Sequence, residues 1–143
     1  MSYQRILVAI DLYDDYQPVL KRALTIAADA HNVNVIYVIE PIYYTEIYDG
    51  GMLTDLHNKA REKAREGIDA ICAKYQLKAD SMVVEDGHPS SKIHAAAEKF
   101  DADLIVIGSH GKHGLQLLLG STANAVLHGA KCDVLAVRVF ESD

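Results

Sequence analysis

Apolar residues in this chain fall into five short runs, and between the runs they recur every three or four positions. The first run, Ile6 to Ile10, is an unbroken Ile-Leu-Val-Ala-Ile that stops at Asp11. A strand covered on both faces of a parallel sheet reads this way, because neither of its sides meets water. From Pro18 onward Val19, Leu20, Ala23, Leu24, Ala27 and Ala30 step at helical spacing, with Lys21, Arg22 and Asp29 off the stripe. That pattern predicts an amphipathic helix. The β-branched run Val33 to Ile39 predicts a second strand, ended by Glu40-Pro41 since proline cannot donate to a central ladder.

Tyr43, Tyr44 and Tyr48 precede Asp49-Gly50-Gly51, turn chemistry that reads as a surface loop. Met52 to Tyr75 reads as one long helix: Leu53, Leu56, Ala60, Ala64, Ile68, Ile71 and Tyr75 form its apolar stripe. Lys59, Arg61, Glu62, Lys63, Arg65 and Glu66 form a solvated face of mixed sign. Ser81 to Val84 predicts a third strand, and Gly87-His88-Pro89-Ser90-Ser91 a turn whose serine caps the helical stripe Ile93, Ala96, Ala97 and Phe100. Leu104 to Ile107 is a fourth, wholly apolar strand. After a glycine-rich loop, Ala123, Val126, Leu127 and Ala130 make a last helical stripe, and Val134 to Val139 a fifth strand. Strands alternating with helices at this spacing build βαβ units, hence an α/β, Rossmann-like fold with a parallel sheet and helices on both faces.

At 143 residues the chain has the length of one domain, so residues 1–143 are expected to share one fold. Its 50% hydrophobic and 24% charged residues exclude the collagen-like, low-complexity and wholly disordered classes. A formal net charge of −6 sets the surface against phosphate backbones, so nucleic-acid binding is not expected. No apolar run approaches the about 18 residues that cross a bilayer, and the N-terminus lacks a signal peptide's basic and apolar regions. A cytoplasmic protein without membrane contact is the expectation. Cys72 and Cys132 stand far apart without ligand spacing, which predicts small core residues rather than a disulfide or zinc site.

The candidate chemistry sits where open α/β sheets bind ligands, beyond the carboxyl ends of the strands at the point where their order reverses. Asp11 follows the first strand, and Gly108-Ser109-His110-Gly111-Lys112-His113-Gly114 follows the fourth. Glycines there permit positive φ and let backbone N–H groups approach an anion. Gly120-Ser121-Thr122 opens the last helix, whose N–H groups and dipole favour phosphate. A Gly-x-Gly-x-x-Gly fingerprint and a Walker A loop are both missing. Asp11 suits a ribose contact, a Mg²⁺-bridged phosphate, or a loop cap equally well. His110 and His113 lack the further ligands a metal needs, and His88, His94 and His128 read as solvated. Ser121 has no His-Asp partner pattern, so nucleophilic catalysis is not expected.

Ile6-Leu7-Val8-Ala9-Ile10-Asp11, Gly108-Ser109-His110-Gly111 followed by Gly120-Ser121, and Cys132-Asp133-Val134-Leu135-Ala136-Val137 together resemble the universal stress protein family over essentially the whole chain. The resemblance implies a five-stranded doubly wound sheet of order 3-2-1-4-5 and a homodimer joined through the last strand, Val134, Leu135, Ala136, Val137, Arg138 and Val139. It also implies two subclasses. Members that bind ATP, with Mg²⁺, would use Ala9, Asp11 and the backbone of Val38 for adenine. Ile107, Gly108, His110 and Gly111 would line ribose and phosphates, and Gly120, Ser121 and Thr122 would hold the phosphates. At most slow ATP hydrolysis would follow, since no base for activating water is evident. The alternative is a dimer like universal stress protein A that binds no nucleotide and acts through protein partners. Toward that alternative point eight residues rather than nine between Gly111 and Gly120, Tyr13 in place of the family's serine, and the segment Tyr48-Asp49-Gly50-Gly51.

Overall fold

The computed structural model describes residues 3–11, 16–39, 52–78, 81–109 and 120–139. Strand β1 (Ile6–Ile10) leads to helix α1 (Gln17–Ile26), a short 3₁₀ turn (Ala30–Asn32) and β2 (Val33–Ile39). Then come α2 (Met52–Tyr75), β3 (Met82–Asp86), α3 (Pro89–Phe100), β4 (Leu104–Gly108), α4 (Ser121–Gly129) and β5 (Asp133–Val137). All four ladders are parallel, and the strand order is β3-β2-β1-β4-β5. The expected doubly wound order is the observed one.

The chain lays strands outward from β1 to β3, then returns to the far side of β1 for β4 and β5. Because crossovers between parallel strands are right-handed, reversing the direction of travel moves the connecting helices to the opposite face. The packing agrees. Ile6, Val8 and Ile10 of β1 share a core with Val19, Leu20 and Ala23 of α1 and Ala64, Ile68 and Ile71 of α2. Leu7 and Ala9 face the other way, against Ile93 and Ala97 of α3 and Ala123 and Val126 of α4. Alternate β1 residues thus serve two cores, which is why the strand carries no polar position.

Several ends differ from the sequence expectation. Helix α1 stops at Ile26 although the apolar stripe runs to Ala30. The N-terminal segment intercepts it there: Tyr3 bridges to Ala27, and the Ala28 N–H donates to the Tyr3 carbonyl at 3.1 Å. Strand β3 continues past Val84 through Glu85 and Asp86, which pair with Val38 and Ile39. No serine caps α3. His88 is the capping residue, Pro89 occupies the first turn, and Ser90 is a buried helical residue whose Oγ lies 3.1 Å from His88 Nδ1. Strand β5 ends at Val137, so Arg138 and Val139 lie beyond its ladder. Cys72 and Cys132 are half-buried at the margins of the two cores.

His94 is not the solvated residue expected. Its ring lies between α3 and α4, and since a carbonyl can only accept, Nε2 must carry the proton it donates to the Val126 oxygen at 2.9 Å. A Cβ added at Gly129 would meet His94 Cε1 at 2.4 Å, so glycine makes room for the ring. This contact helps fix α4, and with it the start of that helix, relative to the sheet.

Candidate functional site

The ladder registers define what stands at the carboxyl ends of the strands. Ile10 pairs with Tyr37 and Ala9 with Ile107, so Asp11, one residue past β1, is level with Val38 and with Ser109. Val38 pairs with Glu85, and Gly108 with Val137, which puts Ser109 beside Arg138. One row therefore runs Glu85, Val38, Asp11, Ser109, Arg138 across the sheet. It is in step with Ala9, Ile36 and Ile107, which pack under α3 and α4. Strand alternation thus brings the row to that same face.

Below the row, Ala9 and Ile107 are buried apolar residues, whereas Val38 is half-buried and Asp11 exposed. An apolar floor beneath a solvent-facing carboxylate suits a flat, partly polar ligand better than a charged one alone. Gly120 caps α4 with φ −62° and ψ 158°, and among the described residues no side chain supplies a cap hydrogen bond. Its N–H donates to the Ser109 carbonyl at 2.6 Å, and its own carbonyl accepts from Asn124 N–H at 2.9 Å. The end of β4 is thereby tied to the start of α4. The N–H groups of the first turn, around Ser121 and Thr122, keep their dipole toward the mouth of the sheet.

Of the residues singled out from the sequence, the structure brings together Ala9, Asp11, Val38, Ile107, Gly120, Ser121 and Thr122. Gly108 belongs to the same strand end but turns the opposite way: a Cβ there would sit 3.4 Å from Val139 Cγ2 and 3.6 Å from Val19 Cγ2, ordinary packing distances. Neither Gly108 nor Gly120 uses positive φ; among the described glycines only Gly87 does, at 139°. The positive φ expected of the glycine run is therefore corrected at Gly108, whereas Gly120 opens α4 as expected. His110, Gly111, His113 and Gly114, like Tyr13, Tyr43, Tyr44 and Tyr48, lie outside the described residues.

Beside the row, on the α1 and α2 face, stands a charged cluster that the sequence did not announce. Asp86 ends β3 and takes an ion pair from Arg61 of α2, while His57 Nε2 lies 3.3 Å from Oδ1. Oδ1 is sealed from solvent, and that approach lacks hydrogen-bond geometry, so it contributes as an ion pair when His57 is protonated. By sequence Arg61 is one of several charges on a solvated helix face. The clue was in Asp86, whose strand position put it under an α2 residue of opposite sign.

The switch point of this doubly wound sheet, where open α/β sheets bind ligands, carries an apolar floor, a carboxylate and a glycine-capped helix start. The model of the universal stress protein family matches residues 2–138, and the chain belongs to that family. It is 38% identical over 141 residues to Universal stress protein A homolog 2 of Coxiella burnetii, covering 96% of this chain and 97% of that one. The solved hypothetical protein MJ0577, a test case for assigning biochemical function from structure, superposes with a TM-score of 0.79 at 27% identity over 99% of this chain and all of the other. A universal stress protein solved in complex with cAMP superposes with a TM-score of 0.50 at 25% identity, covering 96% of this chain and 98% of that one.

Proposed function

We propose that this universal stress protein binds an adenine nucleotide, ATP with Mg²⁺, in the crevice between β1 and β4, and acts in the cytoplasm as a nucleotide-responsive stress factor. One observation carries the reading: Asp11, Val38 and, through Ser109, the glycine-capped start of α4 stand at the carboxyl ends of the strands, in step with the buried Ala9 and Ile107. Adenine would lie on that floor against the Val38 backbone, and Asp11 would accept from ribose hydroxyls. The phosphates would take N–H groups at Gly120, Ser121 and Thr122. Mg²⁺ needs few protein ligands when phosphates and water supply the rest, so the reading requires no carboxylate beyond Asp11 on the ribose. The cAMP-bound relative supports the ligand class, an adenine nucleotide on the same fold.

A homodimer through β5 belongs to the same proposal. β5 is an edge strand, and pairing two copies about a two-fold axis would satisfy both edges. Val137 turns its carbonyl inward, accepting from Ser109 N–H at 2.8 Å, so the outward-facing backbone groups are those of Val134, Ala136 and Arg138. Ala136→Pro therefore removes an outward donor and leaves the β4 ladder alone. It should turn the dimer into a monomer by light scattering; an unchanged dimer would move the interface elsewhere.

The second reading, a partner-binding dimer with no nucleotide, rests on the eight residues between Gly111 and Gly120 where nucleotide-binding relatives are expected to have nine. The two are separated by denaturing the freshly purified protein, chromatographing released small molecules, and titrating the emptied protein with ATP and Mg²⁺. Co-purified nucleotide or a micromolar dissociation constant, about 8 kcal/mol, supports the first reading. Silence to millimolar ATP overturns it in favour of the second.

A further inference from the structure

We infer that Leu127 of α4 is the apolar anchor of the homodimer, meeting its own copy across the two-fold axis on the α4 face of the paired sheets, an inference that rests on the β5 pairing proposed above. Among the described residues two large apolar side chains stand in solvent, Leu56 at 42% and Leu127 at 50% exposure. The place of Leu127 follows from the way α4 is seated. Ala123 and Val126 turn the helix onto the sheet, and the His94 ring of α3 reaches the Val126 carbonyl and Gly129. At 3.6 residues per turn Gly129 lies about 60° to one side of Val126 and Leu127 about 100° to the other. Because α3 packs over β1 and β2 and α4 over the outermost strand, the flank of α4 turned away from α3 overhangs the β5 edge.

Its height along the strand is fixed as well. The Gly120 N–H donates to the Ser109 carbonyl at 2.6 Å, and the Ser109 N–H to the Val137 carbonyl at 2.8 Å, so the start of α4 is level with the end of β5. The helix then runs back against the strand direction, since it joins two parallel strands. From Gly120 to Leu127 it descends about 10 Å, which is about three strand residues. Leu127 therefore stands level with Leu135, between Val134 and Ala136. Leu135 and Val137 belong to the core under α1 and α2, so Val134 and Ala136 turn to the α4 face beneath it. Val134 is half-buried and Ala136 exposed, and the three residues form one apolar strip along the open edge.

Symmetry names the occupant. The outward backbone groups are those of Val134, Ala136 and Arg138, and an antiparallel pairing centred on Ala136 gives each of them a partner. The two Ala136 residues then face each other with Cα atoms about 5.5 Å apart. Alanine's single methyl leaves space above the axis, and a Leu127 from each copy closes over it. The chain's net charge of −6 sets two copies against each other at a distance, but the acids near this edge are already held: Asp133 accepts from the Tyr3 hydroxyl at 2.7 Å, and Glu98 is paired with Lys131. A different partner would have to supply both a strand edge and an apolar side chain at this spacing. A second copy supplies both by the two-fold operation alone.

The test measures the dimer dissociation constant of the full chain by sedimentation equilibrium for wild type, Leu127→Ala, Leu127→Met, Leu127→Asp and Ala136→Pro, with circular dichroism to confirm that each variant is folded. Each dimer buries the leucine twice, so Leu127→Ala should weaken association about thirtyfold. Leu127→Met keeps the apolar volume and should stay within a few-fold of wild type. Leu127→Asp, which brings two carboxylates together at the axis, should be a monomer at micromolar concentration. A Leu127→Ala dissociation constant equal to that of wild type, with Ala136→Pro monomeric, would overturn the role of Leu127 and leave the β5 pairing standing. Dimers that survive both Leu127→Asp and Ala136→Pro, or a monomeric wild type, would overturn the pairing and this inference with it.

Discussion

Replacing Gly129 with alanine isolates the contact that seats α4. The added Cβ would lie 2.4 Å from His94 Cε1 and 3.1 Å from both ring nitrogens. The ring must move, and moving it breaks the Nε2–H bond to the Val126 carbonyl. Overpacking at such a site costs about 2 kcal/mol and the lost hydrogen bond about 1 kcal/mol. Alanine's better helix propensity returns up to about 1 kcal/mol, leaving a net loss near 2 kcal/mol. Urea unfolding of the variant should show that loss as a lower midpoint at unchanged slope. The decisive arm is the background His94→Ala, where the ring is gone and only the propensity gain remains. There Gly129→Ala should be stabilising by up to about 1 kcal/mol, giving a coupling of about 3 kcal/mol between the two sites. Additive effects, or a Gly129→Ala variant more stable than wild type, would refute the steric argument.

Three further outcomes follow from single contacts. The Glu98 carboxyl is held below its ordinary range, first by the hydrogen bond from Lys131 Nζ at 2.7 Å and then by that ammonium's charge. A carboxyl lowered in the folded state stabilises it above the unfolded pKa and ceases to do so as pH falls through the folded value. Glu98→Gln should accordingly be less stable than wild type at pH 7 by urea titration, with the difference fading below about pH 4; a gap that ignores pH would contradict this. Burial pushes both the Cys72 and Cys132 thiols up, aided by nearby Asp69 and Asp133 respectively. Both should react with a disulfide reagent at neutral pH well below the rate of a free thiol, and a rate matching free cysteine would mean the thiols are open. Asp101 ends α3 at φ 59°, where its N–H closes onto the Ala97 and Glu98 carbonyls. Asp101→Gly should raise stability by about 0.5–1 kcal/mol in thermal unfolding, and a loss would show that the aspartate side chain itself matters there.

Where burial alone decides an element, the sequence was legible. β1, β2 and α2 begin and end where the apolar patterns do, because both faces of the inner strands and one stripe of the helix must be dry. Where a tertiary partner decides, it was not. Glu85 and Asp86 look like loop residues, yet they extend β3 because β2 offers them ladder partners and α2 offers Asp86 an arginine. Ala27 to Ala30 continue a helical stripe, yet Tyr3 takes that segment away from α1. His94 has no sequence mark of its own; its burial depends on a glycine 35 positions later. The candidate site shows the same division. Asp11, Val38, Gly120 and their neighbours were visible as strand-end and helix-start residues, since the switch-point rule needs only strand order. The direction of Gly108 and of Arg138 required register and burial, which no spacing in one strand reveals.

The most direct test of the central claim is a backbone amide NMR titration of the chain with Mg-ATP. The account predicts saturable shifts centred on Ala9, Asp11, Val38, Ile107 to Ser109 and Gly120 to Thr122, at the mouth between β1 and β4. Shifts absent at millimolar nucleotide, or gathered instead at the amino ends of the strands around Arg5, Asp103 and Asp133, would contradict it.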